Sequence, residues 1–282
     1  MVLWDGSPHR WFGPDYPPCC LMAALDDATG ETLAARFFVF EGTEGYLWML
    51  RQMVTRYGIP ISIYQDRHGA LKRNDDHWTL EEELAGRQEP TQVGQALRAL
   101  GIQPIFALSP QAKGRIERLF ATLQDRLGAE LGLAEATTLE KANGLLPAFL
   151  ARFNRRFAIQ ARDAHKAWRP VSKLLDLDRA ISFHYSVKVG LDNTVRLGSL
   201  ILDIPPGPYG RSYAKARVEA RQLLNGSWKV YYQGHLIAKH PPTAIREPLR
   251  ALPRKRSDAR ATKSDHWVYQ ASAQPIYDKP FT

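Results

Sequence analysis

Residues 20–26 and 32–40 are two apolar, partly β-branched or aromatic runs separated by Asp27-Ala28-Thr29-Gly30. A turn-forming cluster between two such runs closes a β-hairpin. Residues 2–5 read as the end of a further strand ahead of it. Three antiparallel strands follow, and their apolar faces require covering layers from the rest of the chain.

The next segments supply those layers. Tyr46, Leu47, Leu50, Met53, Val54 and Tyr57 recur at helical spacing, with Thr43 as a candidate cap and Gly58 as a C-terminal stop. Residues 59–65 form a short β-rich run that delivers Asp66 at its end. Residues 70–90, with Asp75, Asp76, Glu81, Glu82, Glu83 and Glu89, read as a polar, acidic insertion holding a small helix. A short helix is expected over 91–100 and a strand over 102–108. Ser109-Pro110 is an N-cap followed by a first-turn proline, opening a helix with Ile116, Leu119, Phe120, Leu123 and Leu127 as its stripe. A further helix is expected over 138–157, with Pro147 inside it.

Past a connector at 158–182 that carries Arg162, Lys166, Arg169 and Arg179, the texture changes to short alternating runs with turns at Asn225-Gly226 and Gln233-Gly234. Short strands at close spacing point to a small β-barrel or sandwich. The expected organisation is a core over 1–170, a linker over 171–184, the small β module over 185–245 and a tail over 246–282. Residues 246–263 hold seven basic and two acidic side chains, a tail composition that attracts polyanions without reading sequence.

Composition narrows the function class. A net charge of +9 makes a polyanion a fitting partner. Cys19 and Cys20, the two cysteines of the sequence, are adjacent inside an apolar run, neither a metal-ligand spacing nor a disulfide framework. A reducing, cytoplasmic setting fits that usage. No apolar stretch reaches bilayer length, and Asp5, His9, Arg10 and Asp15 stand where a signal peptide needs an apolar run, so no membrane partner is expected.

Three carboxylates stand at the ends of elements that belong to one sheet: Asp5 closing the first strand, Asp66 closing the fourth, and Glu117 on the helix after the fifth. Converging carboxylates bind hard cations such as Mg²⁺. Two ions about 3.5–4 Å apart activate an attacking hydroxyl and stabilise the leaving oxygen of a phosphodiester displacement. Singly, each has an ordinary reading: Asp5 as a turn aspartate, Asp66-Arg67 as a surface pair, and Glu117 as the i+4 partner of Lys113.

Four segments carry a family resemblance: Trp4-Asp5-Gly6-Ser7-Pro8-His9-Arg10-Trp11-Phe12, Leu25-Asp26-Asp27-Ala28-Thr29-Gly30, Tyr64-Gln65-Asp66-Arg67-His68-Gly69, and Ser109-Pro110-Gln111-Ala112-Lys113-Gly114-Arg115-Ile116-Glu117-Arg118. Together they resemble the integrase-core motifs of bacterial insertion-sequence transposases, especially the ISNCY type, over about residues 1–170. The resemblance implies an α/β ribonuclease H-like fold with a mixed sheet flanked by helices. It also implies that Asp5, Asp66 and Glu117 form a DDE triad holding two Mg²⁺ or Mn²⁺ ions. The implied activity is cleavage at transposon ends and joining of their 3′-hydroxyls to target DNA by a homo-oligomer, with no nucleotide cofactor. Fifty residues separate Asp66 from Glu117 (117 − 66 − 1), more than in the compact retroviral-integrase pattern.

In such an enzyme Lys113, Arg115, Arg118 and His68 would contact DNA, against an ordinary reading of helix-surface or loop charges. Ser109 is more simply a cap, and His9 is not required by two-metal chemistry. Asp26 and Asp27 belong to the hairpin turn. Two other readings remain. Members of the group carry a helix-turn-helix region before the core, and here the first strand starts almost at Met1, which favours a non-catalytic DNA-binding remnant or inhibitor. A ribonuclease H-like nuclease would hydrolyse without joining.

Overall fold

The computed structural model describes residues 1–73, 77–107, 114–163 and 167–244. The expected Ser109-Pro110 helix start, Asp75, Asp76, Gln111, Lys113, Lys166 and the 246–282 tail lie outside them.

Strands β1 (Val2–His9), β2 (Cys19–Asp26) and β3 (Thr32–Phe38) form an antiparallel meander. Helix α1 (Thr43–Tyr57) follows, then β4 (Ile59–Pro60) and β5 (Ser62–Gln65). Next come α2 (Leu80–Ala85) and α3 (Gln92–Ala99), β6 (Gln103–Phe106), α4 (Gly114–Leu133) and α5 (Leu139–Phe157). The main sheet has the order β3-β2-β1-β5-β6, with β5 and β6 parallel to β1. It is a mixed sheet flanked by helices.

Alternation along β1 divides the core. Val2 and Trp4 pack with α1 and α3 residues such as Tyr46, Leu50, Met53, Val93 and Leu97. Leu3 joins the opposite cluster, with Ile116, Leu119, Phe120 and Leu123 of α4 and Leu146, Phe149 and Phe153 of α5. Period-two geometry thus yields a three-layer sandwich. The α1-side cluster is continuous with apolar residues further along the chain, including Ile181, Phe183, Val218, Trp228 and Val230.

The later segment begins with β7 (Trp168–Arg169), which pairs with β4, and α6 (Leu177–Ala180). Strands β8 (Phe183–Lys188), β11 (Arg217–Gln222), β12 (Trp228–Tyr232) and β13 (His235–His240) make an antiparallel sheet of order β13-β12-β11-β8. Strands β9 (Thr194–Leu197) and β10 (Leu200–Asp203) form a separate hairpin. Gln233 and Gly234 both take positive φ, 49° and 85°, the geometry of a tight two-residue turn.

Local signals fixed several helix starts. Thr91 and Thr138 accept N–H bonds from Gly94 and Lys141 as N-caps of α3 and α5, and Thr79 with Glu82 forms a capping box on α2. Three expectations are corrected. The residue capping α1 is Gly42, and Thr43 is the helix's first residue, buried. The run over 59–65 divides in two because residues 59–60 pair with β7 instead of the main sheet. Asp5 does not close β1, which runs on to His9 by pairing with β2. The β1–β5 ladder ends at Leu3, so the second half of β1 lacks β5 alongside, a setting in which Pro8 is tolerated.

Candidate active site

β1 and β5 run in step. Val2 lies opposite Ile63 and Leu3 opposite Tyr64, and the next pair is tied through side chains: Trp4 Nε1 donates to Gln65 Oε1 at 2.9 Å, 61 residues apart and buried. Asp5 and Asp66 keep that offset (66 − 5 = 61) at the point where the two strands part. Neighbouring strands lie about 4.8 Å apart, so the register brings both residues to one sheet end. Alternation places Asp5 on the α4 face with Leu3 and Ser7, and Gln124 of α4 reaches Ser7 Oγ at 3.1 Å.

Each aspartate is held by its own backbone. Gly6 N–H donates to Asp5 Oδ1 at 3.0 Å, and His68 N–H donates to Asp66 Oδ1 at 2.8 Å in a turn that folds the chain back after β5. Asp5 is 9% exposed, and Asp66 is half-buried.

A third carboxylate, absent from the sequence reading, stands on the other side of β1. Glu41, between β3 and α1, has a side chain only 14% exposed. It accepts a short hydrogen bond from Tyr46 Oη, and its Oε1 lies 3.7 Å from His68 Nδ1. Ala70 N–H donates to the same nitrogen at 3.3 Å, so in the neutral ring that nitrogen is an acceptor and makes no hydrogen bond to Glu41. A Cβ on Gly6 would sit 2.6 Å from Glu41 Oε2 and 2.9 Å from Cys20 Sγ, which explains glycine beside Asp5: the backbone makes room for a carboxylate.

The three acids act on their neighbours together. The Tyr46 phenol is pushed well above its usual value by burial first, then by Glu41, with Asp5 and Asp66 adding to it. Burial, followed by Glu41, raises the Cys20 thiol to about 12, with Asp5 a smaller contributor, so this cysteine stays protonated.

Glu117 is in the first turn of α4 and exposed, while its neighbour Ile116 is buried. Among the described residues no group of three or more His, Cys, Asp or Glu side chains is placed to hold a metal ion. The structure thus brings Asp5 and Asp66 into step and does not group Glu117 with them. Arg115 bonds the Asp27 carbonyl and lies 3.2 Å from Asp27 Oδ1, tying the start of α4 to the β2–β3 turn. Arg118 Nε donates to the Gly114 carbonyl at 3.0 Å. Both arginines line an open cleft of about 300 Å³ with Met1, Leu3, Asp27, Tyr64 and Gly114. Asp26 accepts from Thr29 Oγ1 at 2.8 Å within its turn, and His9 packs edge-on against Trp11. No described helix is long and apolar enough to cross a membrane.

No family model matches the chain. It is 32% identical over 238 residues, 84% of its length, to a Sinorhizobium fredii protein named "Putative transposase y4bF". It is 37% identical over 165 residues, 56% of its length, to the transposase for insertion sequence IS1202 of Streptococcus pneumoniae. The chain spans 51% of the first relative and 32% of the second. In a solved simian T-cell lymphotropic virus intasome in complex with PP2A regulatory subunit B56 gamma, one chain aligns with 86% of this one and 79% of its own length, at 14% identity and a TM-score of 0.38. By sequence, then, this chain is similar over 84% of its residues to a protein named a putative transposase and over 56% to an insertion-sequence transposase.

Proposed function

We propose that the chain is the catalytic part of a DDE-type DNA transposase, which cleaves transposon ends and joins them to target DNA. The observation that carries this reading is the common register of Asp5 and Asp66 on neighbouring parallel strands. A meander followed by two parallel strands supports a ribonuclease H-like core over 1–170. On this reading 171–184 is a linker, the strands of 185–245 are the wall of a small β-barrel, and 246–282 is a basic tail. The protein works in the cytoplasm as a homo-oligomer on DNA.

The donors fit the metal expected of such an enzyme. Asp5 and Asp66 offer hard oxygens at one sheet end, and Mg²⁺ is commonly held by one or two carboxylates while keeping waters for a phosphate to replace. Glu117 is the third ligand by resemblance, and its place in the first turn of α4 makes that turn the element that has to approach the aspartates. Bound Mg²⁺ or Mn²⁺ would supply activation of the attacking hydroxyl and stabilisation of the leaving oxygen. The chain's own part is positioning: the Trp4–Gln65 bond sets the two strands in step, and the bonds from Gly6 and His68 N–H groups orient the carboxylates. Arg118, with Arg115 once released from Asp27, contacts phosphates, as do Lys113 and His68.

The test uses the purified chain with Mn²⁺ and pre-cleaved end DNA. Joined product is expected from the wild type and none from Asp66→Asn, with DNA binding kept in both. Binding without reaction in the wild type makes the chain a DNA-binding remnant, and water-only cleavage makes it a nuclease.

A further inference from the structure

Far along the chain from the carboxylates, residues 204–218 read Ile-Pro-Pro-Gly-Pro-Tyr-Gly-Arg-Ser-Tyr-Ala-Lys-Ala-Arg-Val, with three cations and no acid. The loop presents an aromatic ring to solvent. Tyr209 is fully exposed and holds φ 59°, ψ 29°, the left-handed region that a bulky residue rarely takes. Strain of this kind persists only where the surroundings impose it, and it concentrates at functional sites.

The surroundings here do impose it. Gly207 N–H donates to the Arg211 carbonyl at 2.8 Å, and a Cβ on Gly207 would sit 2.6 Å from the Tyr213 hydroxyl, so the loop is drawn tightly over a buried ring. Asn193 braces it, accepting from Tyr213 N–H at 2.7 Å and Ser212 Oγ at 3.2 Å while donating to the Ile204 carbonyl at 2.6 Å. Three prolines, Pro205, Pro206 and Pro208, lower the entropy of the arrangement further. Nothing in this bracing needs the Tyr209 ring, which packs on none of it.

The loop and the strands that flank it carry exposed cations. Lys188, Arg211, Lys215 and Arg217 are all exposed, and Arg217 lies directly opposite Lys188 in the β8–β11 ladder.

We propose that this loop is a DNA-contact element in which Tyr209 stacks on an unpaired base or an opened base step while Arg211 and Lys215 of the same loop hold flanking phosphates. The choice of DNA as the polyanion rests on the transposase reading; the stacking geometry does not. An exposed ring on a braced backbone, with Arg211 and Lys215 on the same loop, matches a strand with both phosphates and accessible base faces.

Fluorescence anisotropy of the full chain with a labelled single-stranded oligonucleotide and its duplex, each over a salt series, tests it. Tyr209→Ala is expected to weaken single-strand binding about tenfold with an unchanged salt slope, since stacking on an aromatic ring contributes roughly 1–3 kcal/mol per base. Tyr209→Phe is expected to restore binding. Arg211→Ala with Lys215→Ala is expected to flatten the salt slope by about 1.5 units, the yield of two lost phosphate contacts. Unaltered thermal melting shows that the fold is intact. Wild-type affinity in Tyr209→Ala overturns the proposal, as does a loss that Phe fails to restore. Normal stacking behaviour without Mn²⁺-dependent joining would leave this surface standing and remove the transposase reading, and the reverse result would remove only the surface.

Discussion

Trp4 Nε1 and Gln65 Oε1 meet at 2.9 Å inside the core, and this bond lies one residue before both Asp5 and Asp66. It pins the two strands where their backbone ladder has already ended. Gln65→Leu leaves the indole N–H buried without an acceptor, which is expected to cost about 1–3 kcal/mol in denaturant unfolding. Adding Trp4→Phe removes the orphaned donor, so the double variant is expected to be less destabilised than the two single losses summed. Strict additivity would show that the bond does not couple the strands.

Gly6 and Glu41 are expected to be coupled as well. Gly6→Ala places a methyl 2.6 Å from Glu41 Oε2, and because that oxygen ends a flexible side chain, the carboxylate swings away and gives up the Tyr46 hydroxyl. The cost is expected to be about 1–3 kcal/mol, the range for overpacking. In a Glu41→Ala background the same substitution meets less obstruction and is expected to cost markedly less. Equal costs in both backgrounds would mean that the glycine is not there to admit Glu41.

For Glu117, the substitution to Gln keeps size and hydrogen bonding while removing charge. On the proposed function it is expected to lower Mn²⁺-dependent joining about a hundredfold or more, the scale of losing one preorganised electrostatic group. DNA affinity in the same variant is expected to stay within about twofold, since the side chain is exposed and carries no positive charge. Unchanged turnover would take Glu117 out of the site.

What the sequence discloses here is mostly local. Asp27-Ala28-Thr29-Gly30 and Gln233-Gly234 act within a few residues of themselves, and each turn formed where its chemistry indicated, whereas the cap read at Thr43 fell on Gly42. The common position of Asp5 and Asp66 was legible because chain order constrains which strands adjoin. Glu41 was not, since its place depends on space left by Gly6 and on the Tyr46 hydroxyl, contacts that no periodicity records. The same holds for β4, which left the expected strand to pair with β7 in a stretch that reads as a connector. The full length of β1 was also hidden: Pro8 signals a strand's end unless the partner on one side is known to be missing.

His184 makes the joint between α3 and β8 sensitive to acid. Its backbone N–H and C=O are both bonded by the Gln92 amide, at 2.6 and 2.8 Å, and its Nδ1 meets Gln95 Oε1. With Nδ1 donating to that oxygen, Nε2 is the bare nitrogen, and it is buried without a partner. A second proton would therefore enter a site with no acceptor. Burial, reinforced by the Arg221 and Arg179 charges and opposed by Glu219 and Glu89, pushes the imidazolium down to about 4 from the usual 6.5. Between those values the unfolded chain binds a proton that the folded chain refuses, so stability falls as pH is lowered from 6.5 to 4 and is unaffected by this group above 6.5. His184→Asn keeps a donor toward Gln95 but cannot titrate. It is expected to melt at a temperature less dependent on pH across that window than the wild type, with hydrogen exchange at 92–95 no longer quickening in acid. Parallel acid limbs for the two proteins would mean that the ring is protonated in the folded state with no penalty.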